Sequence, residues 1–183
     1  MKKLIFMRHG YLEGKYKDYS KLNFEEFEGL LLKKISPQVN AELTKKVLQS
    51  KSFLPYVEFS ICSAENRGIE TAELVKEITG AEFITSSLLN EITFTSGIIN
   101  KEDIVDFKHL RNKILTQLYC SQHAENFDAV KKRFLDFLHN AEQLPYQTIL
   151  GITHGWFMRL IYIYSVKNSL DNEKDEHIAV FGD

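Results

Sequence analysis

The chain has 183 residues, of which 44% are hydrophobic, including 13 phenylalanines and 8 tyrosines. This length and apolar content predict one folded domain with a substantial core, and they exclude a mainly disordered chain. The 23 lysines and arginines are nearly balanced by 25 aspartates and glutamates, for a formal charge of −2. Because a general nucleic-acid binder carries a basic excess, we expect no nucleic-acid partner and only a local cationic site.

Cysteine content and the length of apolar runs predict the cellular location. Two cysteines, Cys62 and Cys120, are too few for a disulfide framework and favour a reducing compartment. The apolar run at residues 4–7 ends at Arg8 and is too short for the core of a signal peptide. No apolar stretch reaches the ~20 residues of a transmembrane helix. We therefore predict a cytoplasmic protein with no membrane partner.

Four short apolar runs predict β-strands. Residues 4–7 are wholly apolar, which is typical of a strand buried on both faces. Residues 57–63 begin with alternating apolar and polar side chains and predict the second strand. Residues 82–85 are a weaker candidate for the third strand, and Thr148–Thr153 is the fourth.

Apolar side chains at helical spacing predict five helices between and after these strands. They cover residues 24–35, 69–80, 104–118, 127–138 and 156–164. Pro37 is expected to stop the first helix, and Gly80 to cap the second. The polar residues 164–176 predict a surface loop, and 177–181 a short terminal strand.

Strands that alternate with helices predict βαβ units. We therefore expect an α/β fold, a three-layer α/β/α sandwich with a mostly parallel central sheet. Residues 1–183 are expected to form a single domain.

Polar clusters follow three of the predicted strands. They are Arg8-His9-Gly10, Ser63 with Arg67 four residues later, and Thr153-His154-Gly155. Ligands of parallel sheets bind beyond the carboxyl ends of the strands, so these clusters are expected to converge. Two guanidinium groups and two imidazoles together predict a phosphate site, since arginine matches phosphate oxygens bidentately. Ser63 is predicted to cap the next helix, which places Arg67 in its first turn.

Five blocks of the sequence occur in an order known from one protein family. They read LIFMRHG at residues 4–10, SAENRGIETA at 63–72, LLNE at 88–91, Glu125-Asn126 with Arg133, and ITHG at 152–155. Together they resemble the signature of the histidine phosphatase superfamily, the phosphoglycerate-mutase-like proteins. The resemblance implies the phosphoglycerate-mutase-like form of the α/β/α fold, with residues 92–124 inserted as a lid.

The resemblance also implies a role for each matching residue. His9 would be the nucleophile that becomes phosphohistidine. Arg8, Arg67 and His154 would hold the phosphoryl oxygens, and Glu91 would protonate the leaving oxygen. An imidazole with an ordinary pKa of about 6.5 is a suitable nucleophile at neutral pH, and a carboxylic acid is a suitable proton donor.

The acid and one substrate contact are open to alternatives. Glu13, Glu82 and Glu102 are other candidate acids. The family commonly has an asparagine a few residues after the first histidine, and Lys15 is a candidate substitute for it here.

These observations predict a metal-independent phosphatase that hydrolyses a phosphorylated small molecule, with no cofactor. A phosphoglycerate-mutase-type phosphotransferase is the nearest alternative. Only 33 residues separate Glu91 from Glu125, whereas family mutases usually carry a larger insertion. A catalytically silent module that binds phosphorylated ligands is the alternative outside the enzymes. The sequence identifies neither the substrate nor the oligomeric state.

Overall fold

The computed structural model describes residues 2–167. In that range the chain forms four β-strands and six α-helices. The strands are β1 (Lys3–Arg8), β2 (Phe59–Ser63), β3 (Glu82–Ser86) and β4 (Thr148–Thr153). The helices are α1 (Phe24–Leu31), α2 (Ala41–Gln49), α3 (Asn66–Thr79), α4 (Phe107–Tyr119), α5 (Phe127–Gln143) and α6 (Gly155–Lys167).

The four strands form one parallel sheet in the order β1-β4-β2-β3. The pairing of β1 with β4 places Arg8 opposite Thr153. The pairing of β2 with β4 places Cys62 opposite Ile152. All strands therefore end at the same edge of the sheet, which confirms the predicted α/β fold with a parallel sheet.

Side chains alternate between the two faces of the sheet and build two hydrophobic cores. On one face, Phe59, Ile61 and Ile149 pack with residues of α1, α4, α5 and α6. On the other face, Leu150 and Ile152 pack with residues of α2 and α3. Helices thus cover both faces, as expected for a parallel sheet whose strands are buried.

Some helix boundaries differ from the prediction. Helix α1 ends at Leu31 rather than at Ile35. The chain turns at Lys33, whose φ is 58°, and the amides of Lys34 and Ile35 both donate to the carbonyl of Gly29. Ile35 matches the apolar spacing of α1, but it lies beyond the end of the helix and folds back to pack against Gly29.

Helix α2 was not predicted, and of its nine residues only Thr44 and Leu48 are buried. The predicted helix at 104–118 is a short 3-10 turn, Lys101–Val105, followed by α4. Gly80 caps α3 as predicted, with a φ of 76°. The surface loop predicted at 164–176 is wrong for residues 164–167, which belong to α6. The rest of that loop and the terminal strand predicted at 177–181 lie outside the described residues.

Residues 92–124 form an excursion from the fold between β3 and α5. Phe94 and Ala124 form an antiparallel bridge at the two ends of this excursion. Between them lie the 3-10 turn and α4, whose Leu110, Ile114 and Leu118 are buried in the larger core. Within residues 2–167, no helix is both long and apolar enough to cross a membrane.

Gly151, in the central strand β4, faces the ring of Phe6. A Cβ atom at this position would lie 2.7 Å from Cδ1 of Phe6. We expect Gly151→Ala to lower the free energy of unfolding by about 1–3 kcal/mol, the usual effect of overpacking a core. Phe6→Leu in the same chain makes room, so the double variant should lose less than the sum of the single variants. Urea unfolding gives the free energy of unfolding of the wild type, the two single variants and the double variant. Losses that simply add would contradict the contact between Gly151 and Phe6.

Candidate active site

The two histidine motifs meet where β1 and β4 end. His9 follows the last residue of β1, and its amide donates to the carbonyl of Thr153 at 2.8 Å. His154 follows Thr153, and the two imidazole rings lie 5.2 Å apart between centroids. Ser63 ends β2, and Arg67 lies in the first turn of α3. The structure therefore brings together side chains that are far apart in the sequence.

His9 is buried, with 6% of its surface exposed. Its Nδ1 lies 2.9 Å from the carbonyl oxygen of Gly10. Because a carbonyl oxygen can only accept, Nδ1 carries the proton and Nε2 keeps its lone pair. Burial, aided by the charges of Arg8 and Arg67, holds the pKa of His9 well below its usual range. The imidazole is therefore neutral at pH 7 and has a nucleophilic nitrogen.

The loop after His9 is held in place by Gly10. The Gly10 amide donates to the hydroxyl of Thr71 at 2.8 Å, and that hydroxyl donates to the carbonyl of Arg67 at 2.6 Å. A Cβ atom on Gly10 would come within 2.8 Å of Thr44 and Val39. Only glycine fits this approach, so the Arg-His-Gly motif locks the His9 backbone against α3.

His154 is fully buried, and its tautomer follows from its neighbours. Its Nε2 lies 2.8 Å from Oγ of Ser63 and 3.4 Å from Oε2 of Glu65. The Ser63 hydroxyl donates to Oδ1 of Asn90 at 3.0 Å, so it can only accept from His154. Nε2 therefore carries the proton. Burial lowers the pKa of His154, with the charges of nearby cations adding to the effect.

The two arginines differ in their surroundings. Arg67 is 8% exposed, and its Nη2 lies 3.5 Å from Oε2 of Glu65. Within the described part of the chain, neither Nε of Arg67 nor Nδ1 of His154 has a hydrogen-bond partner. Arg8 donates to the hydroxyl of Tyr19 and stacks on its ring, 5.3 Å from the centroid. Nε of Arg67 is thus an unused donor that an oxyanion can satisfy, whereas Nδ1 of His154 carries no proton in this tautomer and can donate only after the ring is protonated.

The side chain of Glu91 lies at the N-terminus of α6. Its carboxylate accepts the amides of Trp156 at 3.0 Å, of Phe157 at 2.9 Å and of its neighbour Ile92 at 3.0 Å. These bonds favour the charged form, but burial has the larger effect and raises the pKa of Glu91, with the charge of Glu65 contributing in the same direction. A carboxyl group with a raised pKa can act as a proton donor near neutral pH.

Arg133 fixes the segment that carries Glu91. Its guanidinium makes two hydrogen bonds to the Glu125 carboxylate, at 2.9 and 3.2 Å. The same group donates to the carbonyls of Leu88 and Asn90, at 2.8 and 2.9 Å. Glu125 and Arg133 belong to one block of the family signature, but their sequence position alone indicates no task for either residue. The structure shows that the pair clamps residues 88–90.

A cavity of about 1060 Å³ opens at this edge of the sheet. Arg8, His9, Arg67 and Glu91 all line it, whereas His154 lies behind them. Arg111 of α4 also lines the cavity. So do four residues that the sequence did not connect with the site, namely Tyr19, Phe94, Trp156 and Arg159. Burial lowers the pKa of Arg159 to about 10, with Arg111 and Arg8 contributing.

The residues considered as alternative proton donors, and the one considered in place of the family's asparagine, do not line the cavity. Glu82 stands at the first position of β3, the opposite end from the site, and pairs with Lys76. Glu13 and Glu102 are exposed and do not line the cavity. Lys15 pairs with Glu26 rather than lining the cavity, so the structure does not place it where the family's asparagine contact is expected.

Cys62 and Ser63 are the last two residues of β2. Ser63 was predicted to be the N-cap of the following helix, and this is wrong, because Glu65 occupies the N-cap and α3 begins at Asn66. The Ser63 hydroxyl instead accepts the Glu65 amide at 3.0 Å. Cys62 is buried, and burial raises its pKa to about 11, so it stays a thiol as expected for a core cysteine.

Comparison with known proteins assigns the family. A sequence profile of the histidine phosphatase superfamily (branch 1) matches residues 4–180. The chain belongs to this superfamily. A search of curated protein sequences finds no match.

Solved structures share the fold at low sequence identity. Mycobacterial hydrolase 1 superimposes with a TM-score of 0.64 at 15% identity, covering 100% of this chain and 85% of that one. A mycobacterial glucosyl-3-phosphoglycerate phosphatase gives 0.63 at 14% identity, covering 99% and 85%. Bacillus stearothermophilus YhfR gives 0.59 at 19% identity, covering 94% and 83%.

The clamp by Arg133 generates a prediction about Glu91. Lysine cannot reproduce the two carboxylate bonds and two carbonyl bonds, so Arg133→Lys should lower the free energy of unfolding by about 1–3 kcal/mol. The segment before Glu91 should loosen, and the amides of Trp156 and Phe157 should exchange faster with solvent. Hydrogen exchange measures this effect. Lys132→Gln is the matched control, since Lys132 is exposed and pairs only with Asp136 among the described contacts. Unchanged exchange in Arg133→Lys would show that the clamp does not hold Glu91.

Proposed function

We propose that this protein is a phosphatase that hydrolyses a phosphate monoester of a small molecule, without a metal, through a phosphohistidine on His9. The observation that carries the proposal is the protonation state and tautomer of His9. Its Nδ1 is committed to the Gly10 carbonyl, which leaves the Nε2 lone pair available beside two guanidinium groups. Membership of the histidine phosphatase superfamily supports the same reaction class.

In the first step, Nε2 of His9 attacks phosphorus, and the bond from phosphorus to the leaving oxygen breaks. Glu91 gives its proton to that oxygen, so the alcohol leaves neutral. Arg8 and Arg67 hold the phosphoryl oxygens and offset the negative charge spread over them. His154 has only Nδ1 left for a phosphoryl oxygen, and it would take up a second proton to donate there, which the charge of the bound dianion favours.

In the second step, water attacks the phosphohistidine and the bond from phosphorus to Nε2 breaks. Glu91, now a carboxylate, accepts a proton from that water, which returns the acid to its starting state. His9 regains its lone pair and inorganic phosphate leaves. Both steps use the same carboxyl group, and its raised pKa suits the first of them.

The role of His9 is tested by substitution. His9→Ala should reduce turnover of a phosphate monoester on the order of 10³-fold or more, because no other group supplies the nucleophile. The cavity also contains the only tryptophan, Trp156, whose fluorescence should still report vanadate binding in the variant. A chelator should leave wild-type turnover unchanged. Near-normal activity in His9→Ala would end the proposal, and vanadate binding without any wild-type turnover would support the silent binding module.

The role of Glu91 is tested with two leaving groups. Glu91→Gln should slow an alkyl phosphate severely, on the order of 10²–10⁴-fold, because that oxygen needs a proton to depart. A nitrophenyl phosphate needs no proton, so its first step should be affected much less. The variant should then accumulate phosphohistidine, since Glu91 is also the base for the second step. Equal losses on both substrates, measured as kcat/KM, would show that Glu91 only positions the site.

A further inference from the structure

Glu65 is a carboxylate placed inside a site that is built for an anion. It occupies the N-cap of α3, and its side chain is 18% exposed. A negative group this close to the phosphate-binding residues repels an anionic substrate. Its presence therefore calls for a role that compensates for this repulsion. Neither the family signature nor the proposed reaction steps use it. The four contacts of its carboxylate identify the residues that Glu65 connects.

One carboxylate oxygen faces the acid. Oε1 of Glu65 accepts from Nζ of Lys33 at 2.8 Å and from the backbone amide of Glu91 at 3.1 Å. Lys33 also donates to the backbone carbonyl of Glu91 at 2.9 Å. The Lys33–Glu65 pair therefore holds both backbone polar groups of Glu91. Lys33 lies in the turn that ends α1, where its φ is positive.

The other oxygen faces the phosphate-binding residues. Oε2 of Glu65 lies 3.5 Å from Nη2 of Arg67 and 3.4 Å from Nε2 of His154. Because Nε2 of His154 carries its proton, this contact and the one to Ser63 hold that tautomer. Ser63 in turn accepts the Glu65 amide at 3.0 Å, so the carboxylate and the backbone of Glu65 both support His154.

We propose that Glu65 is a positioning residue that couples the proton donor Glu91 to the phosphate-binding pair Arg67 and His154. The inference rests on the proposed function, because it assigns Glu65 a task in the same reaction. One oxygen anchors the acid and the other orients the residues that hold the phosphoryl group. The reacting phosphorus and the leaving oxygen are thereby kept in one geometry, and small misplacements of such groups cost large factors in rate.

The charge of Glu65 has a second effect on the acid. It helps to raise the pKa of Glu91, so it keeps the proton on the donor at a higher pH. Glu65→Gln retains one oxygen, which can accept from Lys33 and from the Glu91 amide. It removes the charge and turns an NH2 donor toward Arg67 and His154, which need an acceptor there. Glu65→Ala removes the anchor on Glu91 as well, so the difference between the two variants reports that anchor.

The experiment measures kcat/KM against pH for an alkyl phosphate and for nitrophenyl phosphate. In Glu65→Gln the alkaline limb with the alkyl phosphate should move to lower pH, because removal of a nearby negative charge lowers the pKa of Glu91. The limb with nitrophenyl phosphate should not move, because that ester needs no proton. Glu65→Ala should lose a further factor on the order of ten in kcat with the alkyl phosphate, and Gln should restore it.

The matched control is Glu77→Gln on the same helix. Glu77 pairs with Lys45 at 2.5 Å, and its side chain is 61% exposed. This variant should keep both the wild-type pH profile and the wild-type rates. Equal rates for Glu65→Ala and Glu65→Gln with the alkyl phosphate would overturn the anchoring role, and an alkaline limb that stays in place in Glu65→Gln would overturn the electrostatic effect.

A readout without turnover separates this inference from the proposed function. Titration of the Glu91 carboxyl by ¹³C NMR should give a lower pKa in Glu65→Gln than in the wild type. If the wild type has no phosphatase activity but this shift is present, the coupling holds and the proposed reaction is wrong. If the wild type is active, the pKa of Glu91 is unchanged in Glu65→Gln and Glu65→Ala keeps the wild-type rates, the reaction holds and the coupling is wrong.

Discussion

The parallel pairing of β1 with β4 puts Arg8 opposite Thr153, and the position of both histidines depends on this register. The ladder continues one step beyond the strands, through the amide of His9 and the carbonyl of Thr153. A slip of one residue would turn every side chain of β1 to the other face of the sheet. Phe6 would then leave the larger core, and His9 would turn away from His154. The stability of the sheet and the geometry of the site therefore rest on the same hydrogen bonds.

Around these histidines the fold balances buried charge with fixed partners. Arg67 is buried against Glu65, and Arg133 is held by Glu125 and by two backbone carbonyls. Glu91 receives amides from the first turn of α6, where the helix dipole favours a negative group. Each charge has a defined orientation before a ligand arrives. Such preorganisation is what transfer of a phosphoryl group needs from a protein, since the covalent demands of that reaction are small.

Much of this arrangement could be predicted, because the informative residues stand directly after apolar runs. Arg8, His9 and His154 are recognisable from that position, and the parallel sheet explains their convergence. The contacts of Glu65 and Arg133 could not be predicted, since both reach across loops whose paths depend on tertiary packing. Ile35 misled the prediction of α1, because a residue that packs on a helix from outside can match its period. The roles assigned to the five site residues and the lid at 92–124 remain predictions.

The two neutral, buried imidazoles also affect how the fold responds to acid. In the unfolded chain His9 and His154 take up protons near their ordinary pKa of about 6.5, whereas burial suppresses this uptake in the folded protein. Below that pH the unfolded state binds more protons, so each histidine lowers stability by up to about 1.4 kcal/mol per pH unit. Glu91 opposes this trend, because its raised pKa lets the folded state hold a proton above pH 4.5. The two imidazoles that the site keeps neutral therefore weaken the folded state as the pH falls below about 6.5.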